Sequence, residues 1–258
     1  MVNLILYQGD ALKILPTLPS ESVDMVLTDP PMMISRNIKI TRTRNIAKFC
    51  RWRGKDIDLF FGEWDVFPSE KDFLKFTFNW VKECVRILKK GRIFASFFDR
   101  DKINFLSYYL QKIHNFKCKG YFAYIKRNPV PQARKVKWMN AWEEAGLWQK
   151  PGGKLVYNYQ LGQHPDYIIL PICQGKERTE HPTQKPEKLI EPFIKYWTNE
   201  GDTVLDPFLG SGTTMKVCRD LNRNCIGIEI NPKYIEITKK RLNWGSSLGG
   251  VKYDFRSL

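Results

Sequence analysis

Short apolar runs alternate with helical patterns along this chain, and this alternation constrains its fold more than any other feature. The runs span Leu4–Tyr7, Val23–Leu27, Ile93–Phe98, Tyr121–Ile125, Tyr167–Ile172, Thr203–Leu205 and Cys225–Ile228. Between several of them, apolar residues recur at helical spacing, as at Phe73, Phe76, Trp80 and Cys84. Strands that alternate with helices predict an α/β fold, with a mostly parallel twisted sheet and helices on both faces. Ligands of such sheets bind beyond the carboxyl ends of the strands.

Three segments depart from the alternation. Residues 36–55 contain eight Lys and Arg residues and no Asp or Glu, which predicts a mobile basic loop. Residues 131–180 are irregular and rich in tryptophan, and we interpret them as an insertion with a small fold of its own. The Gly/Ser-rich stretch from Trp244 onward predicts a loose tail.

Composition narrows the classes of function. The 258 residues, 43% of them hydrophobic, suffice for one large or two small domains with a buried core. No apolar run approaches the ~20 residues of a membrane span, and no secretory signal is expected. Six cysteines without a Cys-x-x-Cys pair and only three histidines predict no metal site and favour a reducing cytosol. The net charge of +15 favours polyanionic partners.

The strongest local motif spans Val204–Thr214. An apolar strand ends in Asp206, a turn follows that contains Gly210 and Gly212, and a helix begins at Thr213. Glycines let the backbone approach a ligand closely, and a helix N-terminus attracts anions. Glu229 ends the next strand, 23 residues after Asp206, where an acid can bind a ribose diol. The pattern therefore predicts a site for a nucleoside and an anion.

A second motif is Asp29-Pro30-Pro31-Met32, which follows the predicted strand Val23–Leu27. The two prolines fix the backbone and remove two N–H donors. Asp29 and a neighbouring carbonyl could then accept both hydrogens of one planar –NH2 group.

The two motifs together resemble those of DNA amino-methyltransferases, which use S-adenosylmethionine to methylate N6 of adenine or N4 of cytosine. Their order is similar to that of the circularly permuted beta class. Other segments that resemble this class are Gly9-Asp10, Phe61–Asp65, Leu88–Arg92, Lys126–Pro131 and His181–Pro186. The resemblance covers residues 3–242 and is weakest over 132–180. It implies a Rossmann-like methyltransferase domain, with a catalytic half at 1–130, a target-recognition insertion at 131–180 and a cofactor-binding half at 181–258.

The resemblance also implies roles for single residues. The target amine would be held by the catalytic residues Asp29, Pro30, Pro31 and Met32. The cofactor S-adenosylmethionine would be bound by Asp10 at its adenine, Glu229 at its ribose, and Thr183, Lys185, Asp206, Phe208, Gly210, Ser211, Gly212 and Thr213 at its methionine. Phosphates and bases of DNA would be contacted by Arg36, Lys39, Arg42, Arg44, Arg51, Arg53, Tyr124, Lys126, Arg134, Lys135 and Lys137.

One residue departs from the family pattern. The family usually has an aromatic residue after Pro-Pro that stacks on the flipped base, and this chain has Met32. A thioether also packs on a base face, and Tyr124 lies where it could share the stacking.

The favoured interpretation is a DNA methyltransferase that acts on N6 of adenine rather than on N4 of cytosine. Three other classes of protein stay open. An RNA or protein methyltransferase usually has Asn before Pro-Pro, and a dinucleotide oxidoreductase is disfavoured by Met215 in place of the third glycine. A DNA-binding protein with an inactive site is the third. The expected partner is double-stranded DNA, and no association with a membrane is expected. The expected origin is prokaryotic or viral. Whether a homodimer forms or a cognate restriction endonuclease exists is left open.

Overall fold

The computed structural model describes residues 1–35, 39–40, 57–58, 65–130, 138–246 and 250–258. The strands are β1 (Val2–Gln8), β2 (Val23–Thr28), β3 (Lys39–Ile40), β4 (Ile57–Asp58), β5 (Leu88–Phe98), β6 (Lys117–Lys126), β7 (Trp142–Gln149), β8 (Tyr167–Leu170), β9 (Thr203–Asp206), β10 (Asn224–Glu229) and β11 (Val251–Ser257). The α-helices are α1 (Ala11–Ile14), α2 (Glu70–Ile87), α3 (Ile103–Tyr108), α4 (Glu187–Trp197), α5 (Thr213–Asp220) and α6 (Pro232–Leu242).

Nine strands form one sheet in the order β11-β1-β10-β9-β2-β5-β7-β6-β8. Neighbouring strands are parallel except where β7 pairs antiparallel with β5 and β6. The separate strands β3 and β4 pair antiparallel. The mostly parallel sheet is therefore as the sequence predicts.

Helices cover both faces of this sheet. On one face, α2 begins at the capping residue Ser69 and buries Phe73 and Trp80 against β2 and β5. On the other face, α4 buries Phe193 and Ile194 against the same strands. All six residues of β2 are buried, as expected for a central strand covered on both sides. The predicted α/β layering is confirmed.

The segment 131–180 does not form a fold of its own in its described part. Residues 142–149 form β7 and residues 167–170 form β8, and both are strands of the main sheet. The interpretation of this segment as a separate small fold was wrong. In the antiparallel pairing of β7 with β5, Trp148 lies opposite Phe94, and such pairing between distant parts of the chain leaves no local pattern in the sequence. Whether this segment recognises the target stays a prediction.

The tail after Trp244 is also not loose throughout. Residues Val251–Ser257 form β11, which pairs in parallel with β1 along its whole length. Within the predicted basic loop, Lys39–Ile40 is a short strand, and the rest of residues 36–55 lies outside the described residues. No helix in the described ranges is long and apolar enough to cross a membrane.

The two sequence motifs come together although they are far apart in the chain. β2 lies beside β9, with Val26 opposite Leu205. Because the two strands are parallel, Asp29 and Asp206 meet at the same edge of the sheet. The motif order agrees with a circular permutation, which stays a prediction.

Candidate active site

A cavity of about 1520 Å³ opens at the carboxyl ends of the central strands. It is lined by residues that follow β1, β2, β5, β9 and β10, together with residues before α4. Its volume exceeds that of a typical small-molecule site, about 300–1,000 Å³. The cavity therefore has room for more than one ligand group.

The Gly-rich turn after β9 forms one wall of this cavity. Gly210 and Gly212 have φ angles of +56° and +80°, which side-chain-bearing residues rarely adopt. A Cβ on Gly210 would lie 2.8 Å from Nε2 of His181, and one on Gly212 would lie 2.7 Å from the Thr238 side chain. Helix α5 begins at Thr213, as predicted. The turn therefore requires glycine at both positions.

Two buried acids stand beside this turn. Glu229 accepts hydrogen bonds from the backbone N–H groups of Gly210, at 2.8 Å, and Asn231, at 2.7 Å. Burial raises its pKa to about 7, against the lowering effect of these N–H donors. Asp206 accepts a hydrogen bond from the Thr28 hydroxyl at 2.8 Å, and burial raises its pKa to about 6. Burial therefore shifts the pKa of both carboxyls toward neutral pH.

Arg241 fixes the start of α5, a role that the sequence did not indicate. Its guanidinium donates to the carbonyl of Ser211 at 2.8 Å and to the hydroxyl of Thr213 at 2.9 Å. It also forms an ion pair with Glu187 at 2.7 Å. The turn is thus held from outside the cavity.

The other residues expected at the cofactor also line this cavity. Asp10 caps α1 by accepting from the N–H of Leu12 at 2.9 Å, and Thr183 lies nearby on the wall. Phe208 packs edge-on against Trp80, with ring centroids 5.3 Å apart. All the predicted cofactor residues except Gly212 therefore line one cavity, while their roles stay predictions.

The catalytic motif forms the adjoining wall. One oxygen of Asp29, Oδ2, lies 2.5 Å from Nζ of Lys185. The other oxygen, Oδ1, is buried and has no hydrogen-bond partner among the described residues. Burial raises the pKa of Asp29, and Lys185 opposes that rise. Pro30 and Pro31 have little exposed surface, and both line the cavity.

Asp65 holds the backbone after the two prolines. It accepts hydrogen bonds of 2.6 to 2.8 Å from four consecutive backbone N–H groups, those of residues 32–35. Lys102 donates to the carbonyl of Met32 at 3.1 Å. Met32 lines the cavity, and Met33 has a φ of +58°. The resemblance named the segment that contains Asp65 without giving this residue a role.

Lys185 and Lys126 both form ion pairs with acidic side chains of the protein. Nζ of Lys185 contacts Asp29 and also Oε2 of Glu143, at 3.1 Å, and its predicted role at the cofactor carboxylate stays a prediction. Nζ of Lys126 lies 2.5 Å from Oε1 of Glu143, and its predicted contact with DNA stays a prediction. Glu143 had no sequence signal because it lies in the irregular segment 131–180.

The prediction that Tyr124 stacks on a base is wrong. Only 2% of Tyr124 is exposed, and it belongs to the core on the α4 side of the sheet. Its hydroxyl donates to the carbonyl of Pro171 at 2.9 Å. The side chains of the remaining predicted DNA contacts lie outside the described residues: Arg36, Lys39, Arg42, Arg44, Arg51, Arg53, Arg134, Lys135 and Lys137.

The sequence of this chain is similar to those of known DNA methyltransferases. A family model described as DNA methylase matches residues 23–240. The type II methyltransferase M.HinfI of Haemophilus influenzae is 34% identical over 257 residues, covering 93% of this chain and 68% of the relative. The type II methyltransferase M2.LlaDCHI of Lactococcus lactis subsp. cremoris is 31% identical over 260 residues, covering 96% of this chain and 92% of the relative.

Solved structures are similar over nearly the whole chain. The complex of M1.HpyAVI with SAM has a TM-score of 0.69 and 28% identity, covering 93% of this chain and 99% of that chain. The cytosine-N4-specific PvuII DNA methyltransferase has a TM-score of 0.71 at 19% identity, covering 95% and 87%, a likeness of fold alone. These matches confirm the predicted Rossmann-like methyltransferase fold. The chain belongs to the DNA methylase family of N6 and N4 methyltransferases.

Proposed function

We propose that the chain methylates N6 of adenine within a specific sequence of double-stranded DNA. As a member of its family, it uses S-adenosylmethionine as the methyl donor. The observation that carries the proposal is Oδ1 of Asp29, a buried acceptor without a partner in the described part of the chain, at the wall of the large cavity. A buried unpaired acceptor is costly, so a donor from the substrate is its natural partner.

The residues beside Asp29 fit the cofactor chemically. S-adenosylmethionine carries hydroxyl and amine donors and a positive sulfonium, and the cavity offers it the carboxylates of Asp10, Asp206 and Glu229. Phe208 supplies an apolar surface, and the bare backbone at Gly210 permits close approach. We assign the ribose to Glu229 and the methionine end to the turn that contains Gly210.

The catalytic contribution of the chain is to hold the amine. An exocyclic amine is a poor nucleophile because its lone pair is delocalised into the ring. A hydrogen bond to Oδ1 of Asp29, and a second to the carbonyl of Pro30, favour a more tetrahedral nitrogen whose lone pair is available. When bound, S-adenosylmethionine supplies the methyl group, and the electron pair of the broken S–C bond stays on sulfur. The amine nitrogen forms the new bond and loses one proton, for which Oδ1 is an acceptor.

Adenine is favoured because the residue before Pro-Pro is Asp in this chain, as is typical of the adenine enzymes. The cytosine-N4 enzymes typically have Ser at that position. The second candidate is therefore N4 of cytosine. The test is mass spectrometry of nucleosides from cells that express the protein, with modified-base sequencing for the target site. N6-methyladenine at one sequence is expected, and N4-methylcytosine would establish the second candidate. No modification of either base would contradict both.

The rim of the cavity supports a macromolecular substrate. Trp138 is 94% exposed, and the Arg100 guanidinium lies 4.5 Å from the centroid of the Trp142 ring. Both tryptophans line the cavity, where cations and aromatic rings suit phosphates and unstacked bases. The target base must leave the duplex to reach Asp29. Because relatives are named type II methyltransferases, we also propose a cognate restriction endonuclease as a partner.

We assign phosphate contacts to residues 36–55, whose side chains lie outside the described residues. Neutralising Arg42, Arg44, Arg51 and Arg53 together should weaken DNA binding on every sequence. The slope of log K against log salt should fall by about one unit for each lost phosphate contact. Binding titrations at several salt concentrations measure this slope. An unchanged slope would mean that the segment does not contact DNA, and a changed target sequence would place recognition within it.

Cofactor binding should release protons near pH 7. Because the pKa of Glu229 is raised to about 7, part of the free enzyme carries a proton there, and the ribose hydroxyls favour the ionised form. Affinity should therefore rise with pH through about 7 and level off above it. Calorimetry near neutral pH, in two buffers of different ionisation enthalpy, measures the released protons.

The Glu229→Gln variant should lose most of this release and bind the cofactor about tenfold more weakly, since Gln replaces one acceptor oxygen with an amide. The control is Glu236→Gln, an exposed acid on α6. Equal proton release in Glu229→Gln and wild type would remove Glu229 from the cofactor site.

A further inference from the structure

Four charged side chains of alternating sign form a row that ends at the catalytic carboxylate. Lys126 contacts Oε1 of Glu143, Lys185 contacts Oε2 of Glu143, and Lys185 also contacts Oδ2 of Asp29. The three N–O distances are 2.5, 3.1 and 2.5 Å. The row crosses β6, β7, the segment before α4 and the turn after β2, which are brought together only in the folded chain.

The two lysines of the row are largely shielded from solvent, whereas the side chains of Asp29 and Glu143 are 24% and 30% exposed. The side chain of Lys185 is 11% exposed, and its ammonium lies 5.3 Å from the centroid of the Phe97 ring. The side chain of Lys126 is 15% exposed. Burial disfavours ionisation of Glu143, but the two lysines outweigh it and lower the pKa to about 2. Glu143 is therefore ionised at neutral pH.

Glu143 competes with Asp29 for the protons of one ammonium. Lys185 has three N–H donors, and the contacts with Asp29 and Glu143 each use one. The contact with Glu143 fixes the position of the ammonium beside Oδ2; without that carboxylate the ammonium could shift along Asp29 and donate its remaining hydrogen to Oδ1. That oxygen is the one that has no partner in the described part of the chain. Glu143 thus keeps the acceptor open, while Lys126 compensates its charge.

We propose that Glu143 is a positioning residue for methyl transfer: together with Lys126 it holds Lys185 on one oxygen of Asp29 and keeps the other oxygen free for the target amine. The statement about the amine rests on the proposed function. The row itself, and its electrostatic effect on Asp29, do not depend on it.

The row predicts the direction in which the pKa of Asp29 should change when one of its members is replaced. The charged groups that face Asp29 are Lys185, Glu143 and Lys126 from the row and Asp206 from the end of β9. Glu143→Gln removes a like charge, so the pKa of Asp29 should fall. Lys126→Met removes an opposite charge, so the pKa of Asp29 should rise. Each shift should be about one unit or somewhat less, because neither group touches Asp29 directly.

The experiment is a ¹³C NMR pH titration of the free, full-length protein with labelled aspartate carboxyls. The Asp29 signal is the one that disappears in Asp29→Asn. Matched controls are Glu144→Gln on β7 and Lys119→Met on β6, which make the same charge changes on the same strands. Neither control residue is among the groups that shift the pKa of Asp29.

Opposite shifts in the two row variants, with smaller shifts in the controls, support the proposal. No shift, or shifts of the same sign, overturn it, and so does a shift no larger than in the controls. The two substitutions lie on separate strands. If one variant fails to fold, the pKa shift in the other variant still tests the proposal.

Methylation kinetics test whether Glu143 contributes to methyl transfer through its effect on Asp29. In Glu143→Gln we expect kcat to fall about tenfold while Kd for S-adenosylmethionine stays within about twofold. The acid limb of its kcat–pH profile should move to lower pH, and that of Lys126→Met to higher pH. An unchanged kcat with the NMR shifts present would overturn the positioning role. If Asp29→Ala still methylates DNA at more than about a tenth of the wild-type rate, Asp29 is not the acceptor of the amine, whatever the NMR result. If the wild-type protein methylates neither base, the proposed function fails, whereas the NMR shifts still test the row.

Discussion

Replacing Asp29 with alanine is expected to lower kcat for DNA methylation by about 100-fold or more, because one charge-assisted acceptor in a shielded site is lost. The affinity for S-adenosylmethionine should change by less than about threefold, since Asp29 is assigned to the amine and not to the cofactor. Single-turnover kinetics with methyl-labelled cofactor measure the first quantity, and calorimetry measures the second.

Two variants sharpen this test. Asp29→Asn keeps the shape of the side chain but not its charge, so it should also lose most activity. Asp101→Ala removes an exposed acid from the rim of the same cavity and should keep turnover within about threefold. If Asp29→Ala kept more than about a tenth of wild-type turnover, Asp29 would not be the acceptor of the amine.

Local patterns predicted most of the sheet and the Gly-rich turn. The apolar runs around Val26 and Leu205 became neighbouring buried strands, because parallel strands covered on both faces require continuous apolar sequence. The turn at Gly210 and the start of α5 at Thr213 follow from backbone requirements that few residues satisfy. Buried strands and Gly-rich turns depend on residues that are consecutive in the chain, so they can be recognised from the sequence.

The polar partners in the site could not be predicted in this way. Lys185 was expected at the cofactor, but its contacts with Asp29 and Glu143 join residues more than 40 positions away along the chain. Glu143 reaches the site only because β7 inserts between β5 and β6. Tyr124 shows the same difficulty, since a tyrosine near a motif can face the core as readily as a ligand.

The edge strand β11 was missed for a different reason. The Gly/Ser-rich residues before it predict a loose tail from Trp244 onward. The strand itself is stabilised by its parallel pairing with β1, from Val2 to Gln8, a partner at the opposite end of the chain. Pairing between chain ends leaves no local signal.

The second large effect concerns Asp65, whose importance is visible only in the folded chain. Its carboxylate is 1% exposed and accepts four backbone N–H groups, of residues 32–35, directly after Pro31. Each hydrogen bond to a charged group contributes about 1.5–3 kcal/mol, although such bonds are not additive. They hold Met33 at its positive φ, which otherwise costs about 1 kcal/mol or more. Asp65 therefore keeps the catalytic turn in one conformation.

Asp65→Asn should consequently lower kcat/KM for DNA by about 100-fold, because the amide –NH2 would face two of the four donors and leave them unpaired. Amide hydrogen exchange at residues 32–35 should accelerate by a similar factor, while the core strand β2 stays protected. Asp72→Asn makes the same substitution at the exposed first turn of α2 and should change neither quantity by more than about threefold. Normal exchange at residues 32–35 together with normal turnover would show that the turn is held by its prolines alone. Fast exchange with normal turnover would show that methyl transfer does not need the turn to be rigid.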